Sequence, residues 1–191
     1  MRRGYTVVEL MMALAVLAVS VTGVMAMQKV TAVSNANARD VAVANRIAQT
    51  WIEQLHADAR LWNHPSEHNT IPDIDTDTAW LKDFGKGFVR PTWSDDRQIG
   101  PAFDGLGRPF NPGGSDPPEP IFCAEYELAR LTPAEDTRGE IRATVRVYWP
   151  RADVPTGFCA AETAVTVSST ASLSNYHFVY HTTVVRQRTA P

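Results

Sequence analysis

From Leu10 to Met27 the chain carries no charged side chain, and the run is long enough to reach most of the way across a bilayer as a helix. Arg2 and Arg3 precede it, which holds the N-terminus on the cytoplasmic side and sends the rest across. From Gln28 to about Leu61 there is no proline and alanine is frequent, so the helix is predicted to continue. Over that stretch Val33, Asn37, Val41, Ala44, Ala48, Trp51 and Leu55 recur at heptad-like spacing, with Ile47 and Ile52 widening the stripe. Asn63-His64-Pro65 should end the helix near Trp62, because the residue before a proline is pushed out of the helical region. The expected element is one helix from Tyr5 to Leu61, apolar in its first half and amphipathic in its second. The stripe needs a surface to lie on, and the C-terminal half of the chain is the candidate.

That C-terminal part switches to a period of two. Glu140–Trp149 places Ile141, Ala143, Val145, Val147 and Trp149 on one face and Arg142, Thr144, Arg146 and Tyr148 on the other. Ile121–Leu131 precedes it across a plausible hairpin loop, 132–139, and Glu162–Ser169 and Tyr176–Arg188 supply two further strand-like runs. Four such runs with short connections predict an antiparallel sheet with one face on the helix and one wet.

Residues 63–120 follow neither period. Nine prolines and seven glycines fall there, which reads as loop. Yet Trp80, Leu81, Phe84, Phe88, Trp93, Phe103 and Phe110 are spread through it, and aromatic residues at that density pack. The expectation is an ordered, irregular excursion with one short helix at Thr78–Phe84.

Composition narrows the picture without redirecting it. About 130 residues beyond the predicted helix suffice for one small core. A formal charge of −3, from 18 basic and 21 acidic residues with no basic block, argues against nucleic acid as a partner. Cys123 and Cys159 both fall in the part sent across the membrane, where oxidation is favoured. A bridge between them would close a loop of 36 residues and contribute about 4 kcal/mol in the chain-entropy model; two free buried thiols are the alternative.

Candidate chemistry is sparse. His64-Pro65-Ser66-Glu67-His68 has the spacing of one metallopeptidase motif, but Pro65 and Pro72 leave too little room for the helix that chemistry needs. Asp73, Asp75 and Asp77 alternate and form a weak calcium candidate. The EF-hand pattern fails, because Thr78 stands at the glycine position and Phe84 at the terminal glutamate position. His177 and His181 share a strand face, too far apart for easy joint ligation, and read as surface residues. No serine or cysteine sits in a nucleophile setting and no glycine-rich phosphate loop is present, so no catalysis and no cofactor are expected.

The sharpest signal lies at the start of the apolar run. Glu9 stands at its mouth, and a charge costs on the order of 3 kcal/mol at mid-membrane by insertion scales. A cut after Gly4 would make Tyr5 the new amino terminus, one helical turn before Glu9. At about 4 Å and an effective dielectric near 20, ammonium and carboxylate attract by about 4 kcal/mol, which offsets the cost. The same pair formed between neighbouring subunits would set their register. Gly4-Tyr5-Thr6-Val7-Val8-Glu9, followed by Leu10-Met11-Met12-Ala13-Leu14-Ala15-Val16-Leu17, closely resembles the class III signal of type IV pilins and type II secretion pseudopilins. The competing reading is an ordinary signal peptide cut after Val24-Met25-Ala26, or a plain uncleaved anchor, but the run exceeds the usual apolar length and a signal peptide has no use for Glu9.

The resemblance implies an α+β, pilin-like fold: a long N-terminal helix packed on a C-terminal antiparallel β-sheet of about four strands. It implies a leader at residues 1–4, a transmembrane and filament-core helix at 5–28, its amphipathic continuation at 29–62, the irregular region at 63–120 and the sheet at 121–191. Prepilin peptidase would cut between Gly4 and Tyr5 and N-methylate Tyr5, and Glu9 would serve assembly and register. Gly23 would let the helix unwind locally in a filament, as glycine or proline does in many pilins, or merely let another helix approach. Within the family the chain is most similar to minor pilins of the PilV kind, through Ala44-Asn45-Arg46-Ile47-Ala48-Gln49, the strand ending Val147-Tyr148-Trp149-Pro150, and Val184-Val185-Arg186. The implied partners are other minor pilins, the major pilin, a large tip adhesin, the inner-membrane assembly platform and, before assembly, membrane lipid. The implied location is the inner membrane with the C-terminal domain in the periplasm, then the pilus and its tip. A minor pseudopilin of a type II secretion system shares every one of these features. A membrane-anchored periplasmic binding or enzymatic domain is the third reading.

Overall fold

The computed structural model describes residues 6–62, 74, 78–83, 85–111, 113, 114, 119–131, 139–151, 159 and 175–186. The chain divides into two compact units, Met1–Asp40 and Val41–Pro191. Helix α1 spans Val7–Trp62, close to the extent expected.

Within the first unit the apolar side chains of α1 stand open: Leu10 is 60% and Met27 74% exposed. The polar residues among them satisfy themselves. Ser20 Oγ donates to the Val16 carbonyl at 2.8 Å, Thr22 Oγ1 to Val19 at 2.8 Å and Thr31 Oγ1 to Met27 at 2.9 Å. Hydroxyls bonded back to their own helix can enter an apolar medium without an unsatisfied donor. The helix is long and apolar enough to cross a membrane, and none of its apolar window is buried inside the protein. At Gly23 an added Cβ would meet nothing within 4 Å.

In the second unit α1 buries Ala44, Ile47, Ala48, Trp51, Leu55, Asp58, Ala59 and Trp62. Burial thus starts at Ala44. Val41, expected on the same stripe, is 41% exposed. The stripe lies on an antiparallel sheet of five described strands: β1 (Ala102–Phe103), β2 (Pro109–Phe110), β3 (Phe122–Arg130), β4 (Glu140–Pro150) and β5 (Tyr176–Arg186). Their order is β2-β1-β3-β4-β5. Register follows the alternation, with Glu125 opposite Arg146 and Val145 opposite His181. Phe122, Ala124, Tyr126 and Leu128 of β3 join Ile141, Ala143, Val145, Val147 and Trp149 of β4 in the core against the helix. Trp51 meets Trp80 edge to face with centroids 5.1 Å apart, so the irregular region contributes to that core.

Four expectations need correcting or narrowing. The sheet gains two strands of two residues each from the region read as irregular, β1 pairing with β3 and β2 with β1. The expected run Glu162–Ser169 lies outside the described residues, and β5 pairs directly with β4. The outer sheet face is also not simply wet: Cys123, Glu125, Arg146 and Tyr148 all lie on it and are buried. Tyr148 and Cys123 form a second small cluster with Ala102, Cys159 and Tyr176, packed by Phe110 and Phe178. The short helix expected at Thr78–Phe84 is a 3-10 turn at Leu81–Asp83, and Phe84 lies outside the described residues.

Candidate functional site

Gly4 and Tyr5 lie outside the described residues, so the structure begins at Thr6. There the chain builds a reciprocal cap. Thr6 donates its backbone N–H to Glu9 Oε2 at 3.1 Å and its hydroxyl to the same oxygen at 3.2 Å. The Glu9 N–H returns a bond to Thr6 Oγ1 at 3.3 Å, and Leu10 N–H reaches the Thr6 carbonyl at 3.2 Å. Thr6 is therefore the N-cap of α1 and Glu9 its third residue, the arrangement in which threonine and glutamate satisfy one another's orphan donors. A carboxylate in the first turn also faces the positive end of the helix dipole. Reading Glu9 as an unpartnered charge overlooked this, although Thr6-Val7-Val8-Glu9 has the spacing of a capping box.

In the second unit Cys123 and Cys159 are joined by a disulfide with Cα atoms 5.6 Å apart. It ties Cys159 to β3 beneath the outer face. Arg90 Nη1 donates to the Cys159 carbonyl at 3.1 Å, which holds the same residue from a second side.

Two buried carboxylates escaped the sequence reading. Glu125, on β3, pairs with Arg146 across the strand, accepts the Tyr148 hydroxyl at 3.1 Å and lies 3.4 Å from Arg90 Nη2. The Arg146 guanidinium in turn stacks over Phe88 at 4.0 Å from the ring centroid. Burial holds the Tyr148 phenol well above its usual range and the nearby Glu125 charge adds to this, while Arg90 opposes it. Asp58, on α1, accepts the N–H groups of Ala79, Trp80 and Leu81 at 3.0, 2.9 and 3.1 Å and pairs with Arg97 at 3.2 Å. Tyr126 donates to Asp83 at 2.9 Å, and its phenol is pushed up first by burial and then by the Asp83 charge. A signal for Asp58 was present: it falls on the stripe after Trp51 and Leu55, where an acid must find partners.

His181 and Thr183 of β5 face the helix. His181 Nε2 lies 2.8 Å from Asn45 Oδ1, and His56 Nε2 lies 3.3 Å from Thr183 Oγ1. His177 stacks on Trp149 with centroids 5.3 Å apart. Both strand histidines are therefore half-buried seam residues and not surface ones. Asp73, Asp75 and Asp77, like His64 and His68, lie outside the described residues. Among the described residues no group of three or more His, Cys, Asp or Glu could hold a metal ion.

The ionic clusters in the second unit thus join elements of the fold to one another. The segment with an outward chemistry is the N-terminal one. No curated protein and no solved structure matches the chain. Residues 1–25 match the family described as the prokaryotic N-terminal methylation motif. With its apolar helix, that segment fits a membrane anchor carrying the C-terminal domain outside. The chain carries, at its N-terminus, the motif of type IV pilin-like proteins.

Proposed function

We propose that this protein is a minor type IV pilin, a structural subunit without catalysis that takes part in pilus assembly and priming and sits at the filament tip. The observation that carries the reading is the methylation motif at residues 1–25 leading into a helix whose apolar window finds no burial in its own chain. Such a surface needs lipid or other helices around it. In this reading prepilin peptidase cuts after Gly4 and methylates Tyr5. The helix waits in the inner membrane with the head in the periplasm, and is then drawn into the filament beside the major pilin and other minor pilins. Glu9 meets an N-terminal amine and sets register. The head, closed by Cys123–Cys159, presents its loops to the assembly platform, neighbouring subunits or a tip adhesin.

The test is the mass of the N-terminal peptide of the mature protein taken from membranes. A chain starting at Tyr5 and heavier by one methyl group supports the reading, and a start at Met27 or Met1 overturns it. The motif serves a minor pseudopilin of a type II secretion system equally well. Recovery of the mature chain in sheared pili, at low abundance beside a dominant subunit, separates the two.

A further inference from the structure

Strand β5 forms one end of the described sheet, where it pairs with β4 from Tyr176 to Arg186. Among the described residues, no backbone hydrogen bond reaches its other edge between His177 and Arg186. That edge is also undefended. Proteins guard a free edge with lysine, proline, a bulge or a very short strand. Here the pairing runs unbroken over 11 residues, and Tyr176 to Val185 includes no proline, lysine, arginine or carboxylate. Arg186, at the far end, is engaged by Glu140 at 2.9 Å.

The core is left half covered along the same side. Asn45 and His56 of α1 lie against His181 and Thr183, and Ile52 shares their helix face. Ile52 and Val179 are only partly buried against the core, while Tyr180 and Val184 on the outer face are 51% and 41% exposed. A strand laid beside β5 pairs the open backbone edge and covers apolar groups on both faces at once. The edge offers no counter-charge, so the strand that fits it is itself uncharged, with apolar side chains on alternate residues.

We infer that β5 is a strand-addition site: an uncharged, extended segment of a neighbouring filament subunit pairs with its free edge. The inference rests on the proposed function, which supplies the neighbour. Main-chain bonds carry the affinity. Tyr180, Thr182 and Val184 on one face, with Val179, His181 and Thr183 on the other, select the side chains that the added strand places beside them.

The test places a benzophenone photocrosslinking side chain at Thr182 and, separately, at Val184, in the full chain within cells that assemble the filament. Adducts from sheared filaments are mapped by mass. The expected result is that both sites reach one uncharged segment of another subunit, at positions as far apart there as the probes are on β5. Adducts on a helix, on a second copy of this chain or on its own residues 160–174 overturn the inference, as do filaments that contain the probe chain and yield no adduct. A guard charge is the second arm. Thr182→Lys should lower the filament-associated fraction, relative to the membrane pool, about fivefold, and Thr182→Val should stay near wild type. Equal incorporation of the two variants overturns the inference. A wild-type chain whose mature N-terminus is not Tyr5 overturns the functional reading and this one with it; with Tyr5 in place, the failures above count against the strand site alone.

Discussion

Asp58, near the end of α1, accepts the backbone N–H of Trp80 at 2.9 Å, 22 residues further along the chain. The same carboxylate takes the neighbouring N–H groups of Ala79 and Leu81 and the guanidinium of Arg97, which itself lies 4.6 Å over the Trp80 ring. One side chain thus caps the 3-10 turn and fastens a proline-rich region to the helix.

Removing that acceptor should be among the most damaging single changes in the head. Asp58→Ala strands the buried N–H groups of Trp80 and Leu81 together with the half-buried one of Ala79, and leaves Arg97 without its carboxylate, at a cost of about 3–5 kcal/mol. Asp58→Asn keeps one carbonyl oxygen and should lose less. Denaturant unfolding of the detergent-solubilised chain measures both. Equal and small losses would show that the segment around Trp80 is held by packing against Trp51 and not by the carboxylate.

Glu125 should behave differently, because its partners are arginines on the outer sheet face. Glu125→Ala leaves Arg146 buried without its carboxylate and should cost about 3–5 kcal/mol. Replacing both members, Glu125→Leu with Arg146→Met, removes the stranded charge and should recover more than half of that loss. A double variant as unstable as Glu125→Ala would place the stabilisation in Arg146 stacking on Phe88.

The contrast between these two carboxylates shows which parts of the fold were legible beforehand. The β4 alternation placed Ile141 through Trp149 on the core face correctly, because one residue of slip would have turned every one of them outward. The helix was legible from its uninterrupted alanine-rich run. Less legible was whatever depends on segments far apart in sequence. Glu125 reads as a wet-face residue until Val89 is known to pair with Tyr126 alongside β3, which brings Arg90 to Glu125 and Phe88 to Arg146, and nothing local announces that pairing. β1 and β2 are too short to carry any period, and they exist because β3 offers them an edge. At the N-terminus the motif was plain, but Glu9 was weighed as a lone charge when Thr6 already stood at capping distance.

Alkaline pH should weaken the head through two phenols. Tyr126 and Tyr148 are both held above the ordinary tyrosine value of 10.0 in the fold, chiefly by burial. The unfolded chain releases their protons above about pH 10 while the folded chain keeps them, so the unfolded state binds fewer protons and stability falls as pH rises. Their contribution is intact below pH ~10 and is lost above it at about 1.4 kcal/mol per pH unit for each phenol. Stability curves of wild type, Tyr126→Phe and Tyr148→Phe between pH 9 and 11, about one unit either side of that value, test this. Each phenylalanine variant should show a shallower alkaline slope, and slopes identical to wild type would remove the phenols as the cause.

Among the described glycines, the one with least room for a side chain lies where α1 ends. An added Cβ at Gly139, the residue before β4, would lie 2.5 Å from Trp62 Cη2 and 2.7 Å from Cζ2. Trp62 is itself buried at the helix terminus, so its ring has little room to withdraw. Gly139→Ala should therefore cost about 1–3 kcal/mol through overpacking, although alanine restricts the unfolded chain and at an open site would be mildly stabilising. The sign of the change is the diagnostic. In a Trp62→Leu background the ring atoms are gone, and the same Gly139→Ala substitution should turn neutral or favourable. The coupling between the two sites, read from a double-mutant cycle in denaturant, isolates the contact from what each change does alone. If Gly139→Ala costs the same in both backgrounds, the glycine is required by its own backbone and Trp62 does not dictate it. If the cost disappears with the ring, the last turn of α1 sets the path by which the chain enters β4.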